Sequence, residues 1–205
     1  MNTTIKNSLK KSISYKTYRD LVKELAEQND TTGNSKTEAL INYTKLNDRR
    51  MKRWDKTIKL SGEIENKIKA FKEPVTWLVL TESWCGDAAH ILPVLNKLSE
   101  LNDNIDFKLV LRDENLELMD LFLTNGSRSI PKMIMIDDER GDVINTYGPR
   151  PSVATNYVNR FKAINGKLTP EFKEDLQHWY NDDKGQTVAE DIAQMLCQLE
   201  PNLCQ

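Results

Sequence analysis

The chain has no apolar stretch near the ~20 residues that would span a bilayer. Nothing behind its polar, basic start (Met1 to Lys11) resembles the apolar core of about 7–15 residues that a secretory signal needs. These absences set the expectation of a cytoplasmic protein with no membrane partner. Neither sign of charge dominates, since 29 Lys and Arg face 31 Asp and Glu, for a formal net charge of −2. No field of that size draws in nucleic acid or an anionic membrane. Three cysteines and two histidines are too few and too scattered for a structural zinc site. An odd cysteine count without framework spacing suits a reducing compartment. The residues call for no metal and no cofactor. There are no internal repeats and no low-complexity tracts. What is present is a 205-residue chain of 23.7 kDa, 29% charged, with a mean hydropathy of −0.61. That length holds one ordinary domain and a sizeable extension.

Three sections follow one another. Residues 1–73 are expected to form a helical extension packed on the rest. Tyr18, Leu21, Val22 and Leu25 share one helical face. The segment from Asn29 to Asn34, with Gly33, breaks that pattern, and Ser35 stands three residues before Glu38 as a capping box. Met51, Trp54 and Ile58 predict a buried face, opposite a solvated stripe of Arg49, Lys52, Arg53 and Lys56. Ile64, Ile68 and Phe71 extend the helical rhythm to Pro74.

Residues 74–165 alternate strands and helices. Val75 to Leu80 is a short apolar run suited to a strand buried on both faces. Ala88, Leu92, Leu95 and Leu98 have helical spacing, Ile105 to Leu111 reads as a second strand, and Leu116 to Leu123 as a helix stopped by Asn125-Gly126. Met133 to Ile136 and Val143 to Tyr147 form a strand hairpin. Such an order predicts an α/β fold, a mixed sheet with helices packed on it. Residues 166–205 are expected to be a C-terminal helical extension. Pro170 opens one helix, and Val188, Ile192, Met195, Leu196 and Leu199 stripe another.

Cys85 carries the chemistry. It sits in Trp84-Cys85-Gly86-Asp87-Ala88, directly after the first strand and directly before a helix. Free N–H groups and the macrodipole at a helix N-terminus favour an anion, and cysteines so placed have pKa values lowered to roughly 3.5–7.5. The expectation is therefore an exposed, reactive thiolate at Cys85. Gly86 lets backbone approach closely, and Trp84 walls the sulfur on one side. Asp87 opposes the thiolate by like charge. No second sulfur stands nearby, because Ala88 occupies the usual partner position. Cys197 is expected on the exposed side of the last helix and Cys204 in a mobile tail. Both are surface thiols by default, with a fold-back onto Cys85 as the alternative. His90, about 140° around the helix from Cys85, is a poor base for it.

In this setting residues 75–148 resemble the thioredoxin family. Trp84-Cys85-Gly86-Asp87-Ala88 is similar to its Trp-Cys-Gly-Pro-Cys, Pro93 to its helix-kinking proline, and Ser129-Ile130-Pro131 to its cis-proline loop. Gly141 and Gly148 are similar to its hairpin and late-strand glycines. The whole chain further resembles a bacterial group with Trp-Cys-Gly-Asp-Ala, Arg-Asp-Glu-Asn and Gly-Pro-Arg-Pro. The resemblance implies a thioredoxin-like fold, with Trp84, Gly86, Asp87, Ile130 and Pro131 shaping a substrate groove beside Cys85. Val79 stands in place of the family's buried aspartate, and Ala88 in place of its resolving cysteine, which argues against ordinary dithiol turnover.

Two readings follow. In the leading one, Cys85 forms mixed disulfides with protein disulfides or a low-molecular-weight thiol and contributes to redox homeostasis. In the alternative, the fold is kept as a redox-inactive binding or chaperone-like module. Arg112 and Asp113 follow a strand end, where ligands gather in open α/β sheets, and border the site in either case; Arg150 follows the last strand and joins them if its loop turns back. Loop-fixing ion pairs with Asp113 or Glu114 are the structural alternative for Arg112.

Overall fold

The computed structural model describes residues 1–204. Its centre is a four-stranded sheet in the order β2-β1-β3-β4. The strands are β1 (Val75–Thr81), β2 (Ile105–Leu111), β3 (Lys132–Asp137) and β4 (Val143–Tyr147). β1 runs parallel to β2 and antiparallel to β3, and β3 pairs antiparallel with β4. Every residue of β1 is buried, which is why its sequence is a continuous apolar run rather than an alternating one.

Nine α-helices surround the sheet among the described residues. Four precede it: α1 (Thr3–Lys10), α2 (Tyr15–Gln28), α3 (Glu38–Thr57) and α4 (Gly62–Ala70). The expected cap at Ser35 is displaced. α3 starts at Glu38, and the Thr37 side chain accepts from the Leu40 amide. That removes the capping box, since Glu38 is now the first helical residue. α1 was not legible, because only Ile5 and Ser8 of its eight residues are buried. α5 (Gly86–Ser99) and α6 (Leu116–Leu121) lie within the sheet section. α7 (Ser152–Asn165), α8 (Pro170–Asp183) and α9 (Gln186–Leu199) follow β4. Among the described residues no helix is long and apolar enough to cross a membrane.

The expectation of two surface thiols near the C-terminus is overturned. Cys197 is buried and bonded to Cys204 in a disulfide. α9 packs against α4, α5 and α7 and against the short 3-10 turn over Pro201–Cys204. A helix with neighbours on several sides buries more than one stripe, so the helical-angle argument for an exposed Cys197 fails. The pair also lies at the wrong end of the sheet to resolve Cys85. Glu200 Oε1 accepts from the amides of Lys72 and Glu73, just before β1 begins, whereas Cys85 follows the end of β1.

Sheet direction collects the site. β1 and β2 deliver their carboxyl ends to one edge, and β3, being antiparallel, begins there, with Leu80 paired to Lys132. β4 ends beside the start of β3, with Tyr147 opposite Met133. Cys85, Arg112, Pro131 and Arg150 therefore converge, although up to 65 positions separate them. Gly148 is required by this convergence. It has φ +99°, and a Cβ there would lie 2.3 Å from the Pro131 carbonyl oxygen.

Candidate functional site

Cys85 is the N-cap of α5, with extended backbone at φ −74° and ψ 112°. The local expectation holds this far: the amides of Ala88 and Asp87 lie near enough to the sulfur to favour its anion, although neither forms a cap hydrogen bond with it. Burial decides the outcome. Cys85 is 7% exposed, and loss of solvent, followed by the like charge of Asp87, pushes the thiol up to about 12. The expected exposed thiolate is therefore a buried neutral thiol, whose Sγ donates to the Ile130 carbonyl at 3.3 Å. The Ile130–Pro131 peptide bond is cis, and so is Gly148–Pro149 in the neighbouring loop.

α8 packs on the first turns of α5, next to the sulfur. Tyr180 on α8 donates to Asp87 Oδ1 at 2.8 Å. Its ring stacks on His90 of α5, with centroids 4.3 Å apart and planes 3° from parallel. Trp54 Nε1 donates to His90 Nδ1 at 2.9 Å, so Nε2 carries the proton and donates to Gln177 at 2.9 Å. Burial brings the imidazole down to about 3. His90 is thus a neutral bolt joining α3, α5 and α8, and it gives the sulfur no base.

Asp87 is the polar hub. Arg150 grips its carboxylate two-handed, Nη2 to Oδ2 at 2.7 Å and Nε to Oδ1 at 3.2 Å. The aspartate side chain is 12% exposed and the arginine 22%. Burial raises the Asp87 carboxyl, while Arg150 and Tyr180 work against that rise. Arg112 does two things at once. Its guanidinium pairs with Asp113 at 2.8 Å and lies over the Trp84 ring, 4.9 Å from the centroid. Both readings of Arg112 from the sequence thus meet in one side chain.

A cavity of about 840 Å³ opens above these groups. Trp84, Cys85, Gly86, Asp87, Ile130, Arg112 and Arg150 all line it, while Pro131 and Asp113 do not. The size falls in the range of about 300–1,000 Å³ that suits small ligands. Leu168 from the α7–α8 connection, with Leu176 and Gln177 from α8, close one side. Among the described residues no group of His, Cys, Asp and Glu is placed to hold a metal ion.

Three features of the site escaped sequence reasoning. Glu82, at the end of β1, is fully buried. Its Oε1 accepts from the Asp113 amide at 2.8 Å, Oε2 has no partner among the described residues, and burial pushes the carboxyl up. An acid directly after an apolar strand was the available signal. Next to it, the hydroxyls of Thr31, Thr44 and Ser83 hydrogen-bond within 3.2 Å of one another, and Asn47 donates to the Ser83 carbonyl. This network ties the loop carrying Cys85 to the N-terminal helices. The third feature is Arg50, which lines the cavity from α3. It lies three residues after buried Asn47 and four before buried Trp54, on the flank of the buried face.

Comparison with known proteins agrees with the fold. A family model described as Thioredoxin matches residues 33–163, more than half of the chain. A protein of unknown function from Pseudomonas aeruginosa is similar in structure, with TM-score 0.58, 16% identity, and coverage of 77% of this chain and 86% of its own. An HIV epitope-scaffold is also similar, with TM-score 0.55, 15% identity, and coverage of 90% and 98%. Comparison with curated proteins gives no match.

Proposed function

The chain belongs to the thioredoxin family, and from that premise we propose that it is a redox-inactive binding module that takes a small molecule in the cavity above Cys85. The observation that carries this reading is the placement of the sulfur: buried, turned to the Ile130 carbonyl and without a second thiol in reach. A thiol pushed up to about 12 presents a thiolate fraction of only about 10⁻⁵ at neutral pH. Greater intrinsic nucleophilicity recovers about two of those five decades relative to a thiol of pKa near 7. Exchange would run about a thousandfold below that of such a thiol. Ala88, itself buried, provides no sulfur to release a mixed disulfide.

One observation favours the second reading, monothiol exchange with a low-molecular-weight disulfide. Cys85 lines the cavity and faces the Ile130 carbonyl, so a small molecule that enters meets the sulfur.

Turnover separates the two. The protein is mixed with a small aromatic disulfide and an excess of a monothiol reductant, and release of the aromatic thiol is followed. The binding-module reading expects the same rate with and without protein. An acceleration that disappears in Cys85→Ser would overturn it and establish exchange.

A further inference from the structure

The cavity has an uneven electrical lining. Arg50, Arg112, Arg128, Arg150 and Lys173 face it, against two acids, Asp87 and Glu174. Three of the guanidiniums are already engaged: Arg112 with Asp113 at 2.8 Å, Arg128 with Asp120 at 2.6 Å, and Arg150 with Asp87 at 2.7 Å. Arg50 is different. Among the described residues no carboxylate lies within 4.0 Å of it, and its nearest polar partner is the neutral Asn47 Oδ1, 3.1 Å from Nη1. It is half-buried, and the loss of solvent lowers its pKa. The charge of Asp87 acts on it only from beyond ion-pair distance, and that carboxylate is already gripped by Arg150. The fork of Arg50 therefore keeps donors free, and a guanidinium fork is shaped for a carboxylate or a phosphate.

Position makes this cation a binding group. Arg50 Nη1 would stand 3.7 Å from a Cβ built on Gly86, so the fork faces the first residue of α5. Trp84, Ile130 and Leu176 give the same cavity an apolar wall. We infer that the cavity takes a small organic oxyanion, a carboxylate- or phosphate-bearing molecule whose charged group sits on Arg50 and whose apolar part lies against Trp84, Ile130 and Leu176. The inference rests on the binding-module reading and names the ligand class for it. Arg53, one turn along α3, is outside the cavity, stacked on Trp54 at 4.7 Å and bonded to Asn181.

The test uses phenyl phosphate, benzoate and neutral benzyl alcohol as probes at constant ionic strength, followed through the indole N–H resonance of Trp84. Saturable binding of both anions is expected, with dissociation constants of the order of millimolar for fragments of this size. The tighter of the two identifies the oxyanion. Benzyl alcohol should bind roughly tenfold more weakly or worse, and Arg50→Gln should weaken the anions roughly ten- to a hundredfold. Arg53→Gln should bind as the wild type does. A second measurement needs no variant: phenyl phosphate should protect Arg50, and not Arg53, from phenylglyoxal in the wild-type protein. Equal binding of the neutral and anionic probes, or no protection at Arg50, overturns the inference. If the anions fail while disulfide turnover is absent, only the ligand class falls. If turnover appears while the anions still bind at Arg50, only the redox-inactive reading falls.

Discussion

Replacing Arg150 with methionine is expected to destabilise the protein by about 3 kcal/mol at neutral pH, because it leaves the Asp87 carboxylate buried with its counter-charge removed. Tyr180 would still donate one hydrogen bond, which one buried carboxylate does not find sufficient. The sign of the pH dependence follows from the direction of the Asp87 shift. Burial raises its carboxyl in the folded state, and Arg150 opposes that rise, so the variant carries a still higher folded value. The folded variant then holds a proton that the unfolded chain has lost, and stability falls as pH rises through that window. The deficit should be largest at neutral pH and should shrink under acid conditions, where Asp87 is protonated in both states. Adding Asp87→Asn should recover much of the loss, which a double-mutant cycle by denaturant unfolding would measure. Equal losses at neutral and acid pH, or no coupling in the cycle, would contradict the hub role of Asp87.

Asp87→Asn on its own should awaken the sulfur in part. Among the causes that raise the Cys85 thiol, the charge of Asp87 ranks after burial, and Arg150 and the two amides act in the opposite direction. The amide variant removes the like charge and leaves Arg150 free to face the thiolate. Alkylation by iodoacetamide near pH 8 should then accelerate by about three- to fourfold, since roughly one unit of pKa gives a tenfold gain in thiolate that lower nucleophilicity partly offsets. Burial persists, so the thiol should stay above its ordinary value of about 8.5. An unchanged rate would show that the aspartate charge does not reach the sulfur.

How much of this was legible in the sequence depends on the range of the cause. β2 and β4 coincide with their sequence-predicted bounds, and β1 differs by one residue, Thr81. Buried strands write themselves as apolar runs. Pro170 opened α8 as expected, since proline suits the first turn of a helix. The placement of Cys85 at a helix N-terminus was also legible, because it needs only a strand, a turn and a helix in order. The protonation state was not. It depends on what the fold packs around the sulfur, Ile130 and Arg150 among them, 45 and 65 positions away in sequence. Local dipole chemistry points one way and long-range burial the other, and burial wins. Arg50 was illegible for the same reason. It looks like one more member of the basic run from Arg49 to Lys56 until the fold shows that Arg49, Lys52, Arg53 and Lys56 face solvent while Arg50 faces the cavity.

The neutral state of Cys85 underlies the proposed function, and the pH profile of its alkylation in the wild-type protein reads that state directly. With the thiol pushed up to about 12, the rate should be slow at neutral pH and climb about tenfold per pH unit to beyond about pH 10 without levelling. A profile that levels with an apparent pKa at or below the ordinary thiol value of about 8.5 would contradict it and return Cys85 to the role of a nucleophile.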